Sequence, residues 1–142
     1  MATPQDLAKN LAIVYGVGPV DVGGVAKVTD YIHMKNYDAV TFVCQAGTIT
    51  NTTVITFQQC TQDADGGGDV KAIGTGKTVT LTGTTDNNSV ETITINASEL
   101  DCDNNFDWIV GSSDTAAAAM ISITALCYRP RWSEATMPSA IT

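Results

Sequence analysis

Charge is the scarcest property of this chain. Asp, Glu, Lys and Arg make up 15% of its 142 residues, against about a quarter in an ordinary globular protein. The basic residues are scarcest of all. Seven Lys and Arg stand against fifteen Asp and Glu, for a formal charge of −8, and they are scattered from Lys9 to Arg131. Phosphate recognition needs clustered cations, so this pattern argues against nucleic acid as a partner. Long apolar runs are missing too. Nothing approaches the roughly 18 residues that cross a bilayer, so no membrane partner is expected. Residues 1–10 lack a basic stretch followed by a long apolar one, which predicts no cleaved secretion signal and synthesis in a cytoplasm.

The reactive residues are equally few. His33 is the only histidine, and no nucleophile or orienting acid is patterned around it. Neither Gly-x-Ser-x-Gly nor His-Glu-x-x-His occurs, so no catalysis is expected. The four cysteines, Cys44, Cys60, Cys102 and Cys127, include no Cys-x-x-Cys pair. Zinc sites draw on such pairs, and none is expected here. Cys44 and Cys127 fall inside strand patterns, where a thiol acts as a small buried hydrophobe. Packed, reduced thiols are the reading for a cytoplasmic chain, with one or two disulfides as the alternative.

What the chain does have is threonine alternating with apolar residues. Lys77-Thr78-Val79-Thr80-Leu81-Thr82 places threonine on one side and Val79 and Leu81 on the other. Glu91-Thr92-Ile93-Thr94-Ile95-Asn96 repeats the pattern, and Val40-Thr41-Phe42-Val43-Cys44 and Thr53-Val54-Ile55-Thr56-Phe57 vary it. A period of two marks half-buried strands, because successive side chains leave opposite faces of the backbone. The 44% apolar content is enough for one domain with a sizeable core.

Strands are predicted at residues 25–33, 37–45, 52–60, 70–73, 77–82, 90–96, 107–110 and 117–128. They are separated by turn-formers at 35–36, 47, 62–69, 74–76, 83–88 and 111–114. Short, evenly spaced strands with polar turns predict an all-β fold: an antiparallel β-sandwich or jelly-roll-like barrel of about seven to eight strands with extended termini. Residues 1–24 read as an N-terminal arm with a short helix at 3–10 and a strand at 11–15, residues 25–128 as the sandwich, and residues 129–142 as a C-terminal tail. Residues 96–100 suggest a single helical turn, and 86–88 a hairpin tip.

Two motifs imitate ligand sites. Gly74-Thr75-Gly76-Lys77-Thr78 resembles the end of a phosphate loop, but Lys71 stands where the first glycine belongs and a strand follows instead of a helix. Asp63, Asp65 and Asp69 on a glycine-rich turn could converge on calcium, although the EF-hand spacing is not met. Asp101, Asp103 and Asp107 form a second, similarly incomplete group. Solvated turns are the simpler reading of both, so no metal or other cofactor is expected. Three sequons, at Asn51, Asn87 and Asn96, fit chance in a chain rich in Asn and Thr. The most partner-like residues are Tyr128, Arg129, Arg131 and Trp132, of types enriched at protein interfaces.

Several stretches resemble a family of small structural proteins of tailed bacteriophages, the auxiliary head proteins. They are Thr29-Asp30-Tyr31-Ile32-His33-Met34-Lys35-Asn36-Tyr37-Asp38-Ala39-Val40-Thr41-Phe42, Gln45-Ala46-Gly47, Phe106-Asp107-Trp108-Ile109-Val110 and Leu126-Cys127-Tyr128-Arg129-Pro130-Arg131. The resemblance implies a virion protein that decorates or cements the capsid shell. Its partners would be the major capsid protein and copies of itself, with a trimer favoured. It would be assembled in the bacterial cytoplasm and end on the capsid surface, and there are no active-site residues to carry over. Two alternatives stand beside this reading: another virion component of the neck, tail or spike base, and a carbohydrate-binding sandwich using Trp108 or Trp132.

Overall fold

The structure, a computed structural model, describes residues 11–61 and 69–130. These form eight strands: β1 (Leu11–Asp21), β2 (Ile32–His33), β3 (Tyr37–Ile49), β4 (Thr53–Cys60), β5 (Val70–Leu81), β6 (Val90–Asn96), β7 (Trp108–Ser113) and β8 (Ala119–Pro130). Sheet A has the order β1-β8-β3-β6 and sheet B the order β2-β7-β4-β5, and neighbouring strands run antiparallel throughout. The outer pairs follow one rule: β1 lies beside β8, β2 beside β7, β3 beside β6 and β4 beside β5. A long antiparallel ribbon wound on itself in this way is a jelly roll, two Greek keys in two facing sheets.

The threonine alternation builds the sandwich as expected. In sheet A the rows Ala12–Cys127–Val40–Ile95 and Val14–Ala125–Phe42–Ile93 point inward. In sheet B, Ile55, Phe57, Val79 and Leu81 do the same. The Ala97–Glu99 turn after β6 is a single 3-10 turn, matching the expected helical turn. The tip at 86–88 closes with Asn88 at φ 57°.

Three expectations are corrected. The strand expected over 25–33 is a loop apart from β2, with an isolated bridge at Val28–Ser112. Its β-prone residues are recruited singly by the edge of β7: the Thr29 hydroxyl accepts from Gly111 N–H, and the Ser113 hydroxyl accepts from Lys27 N–H. The turn expected at 111–114 begins later, because Gly111 lies within β7. A Cβ there would stand 2.7 Å from the Phe57 ring, so the glycine serves close packing rather than a turn. The turn expected at 74–76 is instead a bulge inside β5, where the partner of Phe57 is Lys77 and the partner of Gln58 is Ala72. Gly74 (φ 57°) and Gly76 (φ 111°) take backbone shapes that L side chains resist.

The sandwich also starts earlier than residue 25, since β1 is a full member of sheet A. The expected helix at 3–10 and the turn residues Asp63 and Asp65 lie outside the described residues.

Candidate functional surface

Register fixes which side chains each sheet shows to its surroundings. The outer face of sheet A has the rows Leu11–Tyr128–Ala39–Asn96, Ile13–Leu126–Thr41–Thr94, Tyr15–Thr124–Val43–Thr92 and Ser122–Gln45–Val90. None of these residues is Asp, Glu, Lys or Arg. Beyond them Asp21 pairs with Met120 at the rim, and its carboxylate is turned onto the N–H groups of Gly23 and Ala119. Ile13 (51%), Tyr15 (51%) and Val90 (54%) remain well exposed here. Hydroxyls bond across the strands: Thr41 Oγ1 lies 2.8 Å from Thr94 Oγ1 and donates at 3.3 Å to Tyr128 Oη.

The rows of sheet B's outer face also hold none of these four residue types; at the rim, Asp114 lies beside Val54 and its carboxylate accepts from the N–H groups of Val54 and Ala116. The rows are Val54–Thr80, Val28–Ser112–Thr56–Thr78, Val110–Gln58–Ala72 and His33–Trp108–Cys60–Val70. His33 Nε2 meets Asp107 Oδ2 at 3.1 Å, and its ring stacks on Trp108 at 4.3 Å, 6° from parallel. One face of Trp108 is thereby occupied by the His33 imidazole.

Charge is gathered at the ends and edges. Lys77 and Glu99 pair at 2.6 Å. Lys71 pairs with Asp101 and sits 3.8 Å over the Phe106 ring. The hydrogen bond from Lys77 holds the Glu99 carboxyl below the usual range, and hydrogen bonds from Lys71 and then Asn104 do the same for Asp101. Both pairs tie the segment that crosses from sheet A to sheet B onto β5. Two carboxylates of the second acidic group are thus engaged, Asp101 by Lys71 and Asn104, and Asp107 by His33. No cluster of three metal-ligating side chains occurs among the described residues.

Of the residues read as partner-binding, Tyr128 lies half-buried in the first row of sheet A. Arg129 is exposed at φ 54°, its guanidinium 5.9 Å from the Tyr128 ring centroid. Arg131 and Trp132 lie outside the described residues. None of the four cysteines, all among the described residues, is in a disulfide. Burial, and then the nearby Glu91 charge, pushes the Cys44 thiol up to about 12, and burial alone does so for Cys127. No helix among the described residues is long and apolar enough to cross a membrane.

What sequence reasoning missed is that both broad faces are uncharged. The overall scarcity of charge hinted at it, but only register shows where the remaining charges fall.

No protein-family model matches this chain, and no curated protein matches it. Solved structures do. The chain is similar to a structure from a study of Bacillus endospore appendages, a family of disulfide-linked pili, at 13% identity over 92% of this chain and 95% of that one, with a TM-score of 0.47. It is similar to the structure of tomato aspermy virus at 11% identity over 97% and 87%, with a TM-score of 0.48. It is also similar to the tobacco streak virus coat protein at 6% identity over 97% and 99%, with a TM-score of 0.42.

Proposed function

We propose that this chain is a structural virion protein that decorates and cements the capsid shell of a tailed bacteriophage, without catalysis. It would work with the major capsid protein and with copies of itself, as a homo-oligomer for which the phage resemblance implies a trimer. It would be assembled in the host cytoplasm and end on the capsid surface. The supporting observation is the distribution of charge over a jelly roll: two broad sheet faces without Asp, Glu, Lys or Arg in their rows, and ion pairs kept to the ends and edges.

Covering a charged side chain costs several kcal/mol unless a partner replaces its water. Threonine hydroxyls that already bond to one another lose far less, so such faces suit a molecule that spends its life covered. The fold alone does not choose, because jelly rolls serve viral capsids, lectins and cupins alike. Tyr128, Arg129, Arg131 and Trp132 are the proposed shell-contacting residues, of types favoured at the centre of interfaces.

The test is quantitative mass spectrometry of gradient-purified phage particles, counting this chain against the major coat protein. A near-stoichiometric ratio supports decoration. A handful of copies per particle moves the protein to the neck, tail or spike base, and absence overturns the virion reading.

A further inference from the structure

We infer that copies of this chain join edge to edge, the outer edge of β6 in one copy adding an antiparallel strand to the first half of β1 in the next. The inference rests on the self-assembly part of the proposed function and gives its trimer a contact.

Hydrogen-bond alternation shows what the two edges offer. The Ala46 N–H donates to the Ser89 carbonyl on the β6 side of β3. By the register of sheet A, the main-chain groups of Glu91, Ile93 and Ile95 then turn towards β3, and those of Val90, Thr92 and Thr94 turn outwards. The same alternation, carried through β8, leaves Leu11, Ile13 and Tyr15 facing outwards from β1. No described strand pairs with either outer edge.

The other edges are blunted, and these two are not. A free edge invites another strand unless bulges, lysines, shortness or a covering loop prevent it. β2 has only 2 residues, and β5 carries Lys71, Lys77 and its glycine bulge. The second half of β1 breaks register after Tyr15 and again after Val17. Its Gly18 N–H is taken by the Tyr15 hydroxyl, and Ala26, Lys27 and Val28 face it across a shared cleft. By contrast β6 pairs with β3 along its whole length without a register shift, and residues 11–15 run regularly beside β8. Neither stretch holds Lys, Arg or Pro.

Exposure points to the same places. On the outer face of sheet A, Ile13, Tyr15 and Val90 stand half exposed on the two edge strands, whereas Val43 and Leu126 in the middle are better covered. An added strand would give Ile13 and Tyr15 cross-strand neighbours among Val90, Thr92 and Thr94.

Strand direction selects a second copy as the partner. Each neighbour in the order β1-β8-β3-β6 reverses direction, so β6 runs opposite to β1. In an identically oriented copy, β6 therefore arrives antiparallel to β1 and continues sheet A. A contact between two different edges is heterologous, and it closes into a ring of three where the rotation allows. Three facing residue pairs supply about six main-chain hydrogen bonds. Tyr128 and Arg129 lie on neither edge and stay available to the shell.

The experiment is sedimentation velocity on the full chain at about 100 μM, well above a micromolar dissociation constant. The samples are wild type, Ile13→Pro, Thr92→Pro and an equal mixture of the two variants. Each proline removes an N–H that sheet A itself does not use, and far-UV circular dichroism verifies the folds. A chain with both Ile13→Lys and Thr92→Lys keeps every N–H and sets like charges across the contact, and Thr80→Lys on sheet B is the control.

The expected wild type is a trimer, retained by Thr80→Lys. Each proline variant alone, and the double lysine chain, should be monomeric, with association weakened at least about tenfold. The proline mixture should form a one-to-one dimer and stop, because each variant brings the one intact edge that the other lacks. A wild-type monomer or dimer, a trimer that survives the prolines, or a mixture that stays monomeric overturns the inference. A protein found on particles yet monomeric in solution sinks the edge contact alone, whereas a trimer absent from particles sinks the virion reading alone.

Discussion

The rings of Phe42 and Phe57 meet with centroids 4.3 Å apart, tilted by 33°, and they join the two sheets at the centre of the sandwich. Phe42 comes from β3 in sheet A and Phe57 from β4 in sheet B, and both are fully buried. Truncating either opens a cavity between sheets that other strands hold apart. Phe57→Ala should cost about 3–5 kcal/mol, measured as a lowered midpoint in urea unfolding. A loss under about 1 kcal/mol would mean that the sheets collapse onto the gap.

Thr53 is completely buried at the start of β4, and its hydroxyl has no hydrogen-bond partner. Thr53→Val keeps the β-branched shape and removes the unsatisfied oxygen. It should stabilise the protein by about 1 kcal/mol in the same assay, and destabilisation would show that the hydroxyl is satisfied in solution.

The four thiols should divide by burial. Cys44, Cys60 and Cys127 are buried and Cys102 is exposed, and two of the buried thiols are pushed up to about 12. Thiolate is the reactive form, so a maleimide should label Cys102 at once and the others only after denaturation, as read by peptide mass spectrometry. Fast labelling of Cys127 would contradict the packing of β8.

Acid should loosen the crossing from sheet A to sheet B. Glu99 and Asp101 have lowered pKa values in the folded protein, against about 4.3 and 3.9 when unfolded. The unfolded chain therefore takes up protons first on acidification. The stabilisation from these groups is complete above those unfolded values and is lost as pH falls through the lowered folded ones. The thermal midpoint should begin to drop as pH falls below about 5 and keep falling through the lowered folded values, and Lys71→Met with Lys77→Met should make that drop smaller. An unchanged drop would assign the acid sensitivity to other carboxyls.

How much of this was legible depended on whether the information is local. Thr78, Val79, Thr80 and Leu81 declare their strand by alternation, and their in-and-out pattern is the one observed. Val25 and Val28 look equally strand-like but lie in a loop, because sheet B has β7 edge positions for only a few groups there. Gly111 looks like a turn until the Phe57 ring is placed beside it. Strand order was out of reach, since the pairing of Leu11 with Tyr128 joins residues far apart in the chain. The surface was half legible: the low charge was plain, but only the register of β3 and β8 shows that both sheet faces are clear of it.

The position of β8 has a consequence for biosynthesis. It lies between β1 and β3, so the two strands that flank the middle of sheet A share no neighbour until about residue 130 has left the ribosome. A growing chain cannot complete the sheet piece by piece. Until β8 emerges it carries two unpaired strand edges, of the kind that template aggregation. Truncation before β8 leaves the same edges permanently, so a nonsense fragment ending ahead of Ala119 should fill inclusion bodies even though it retains seven of the eight described strands.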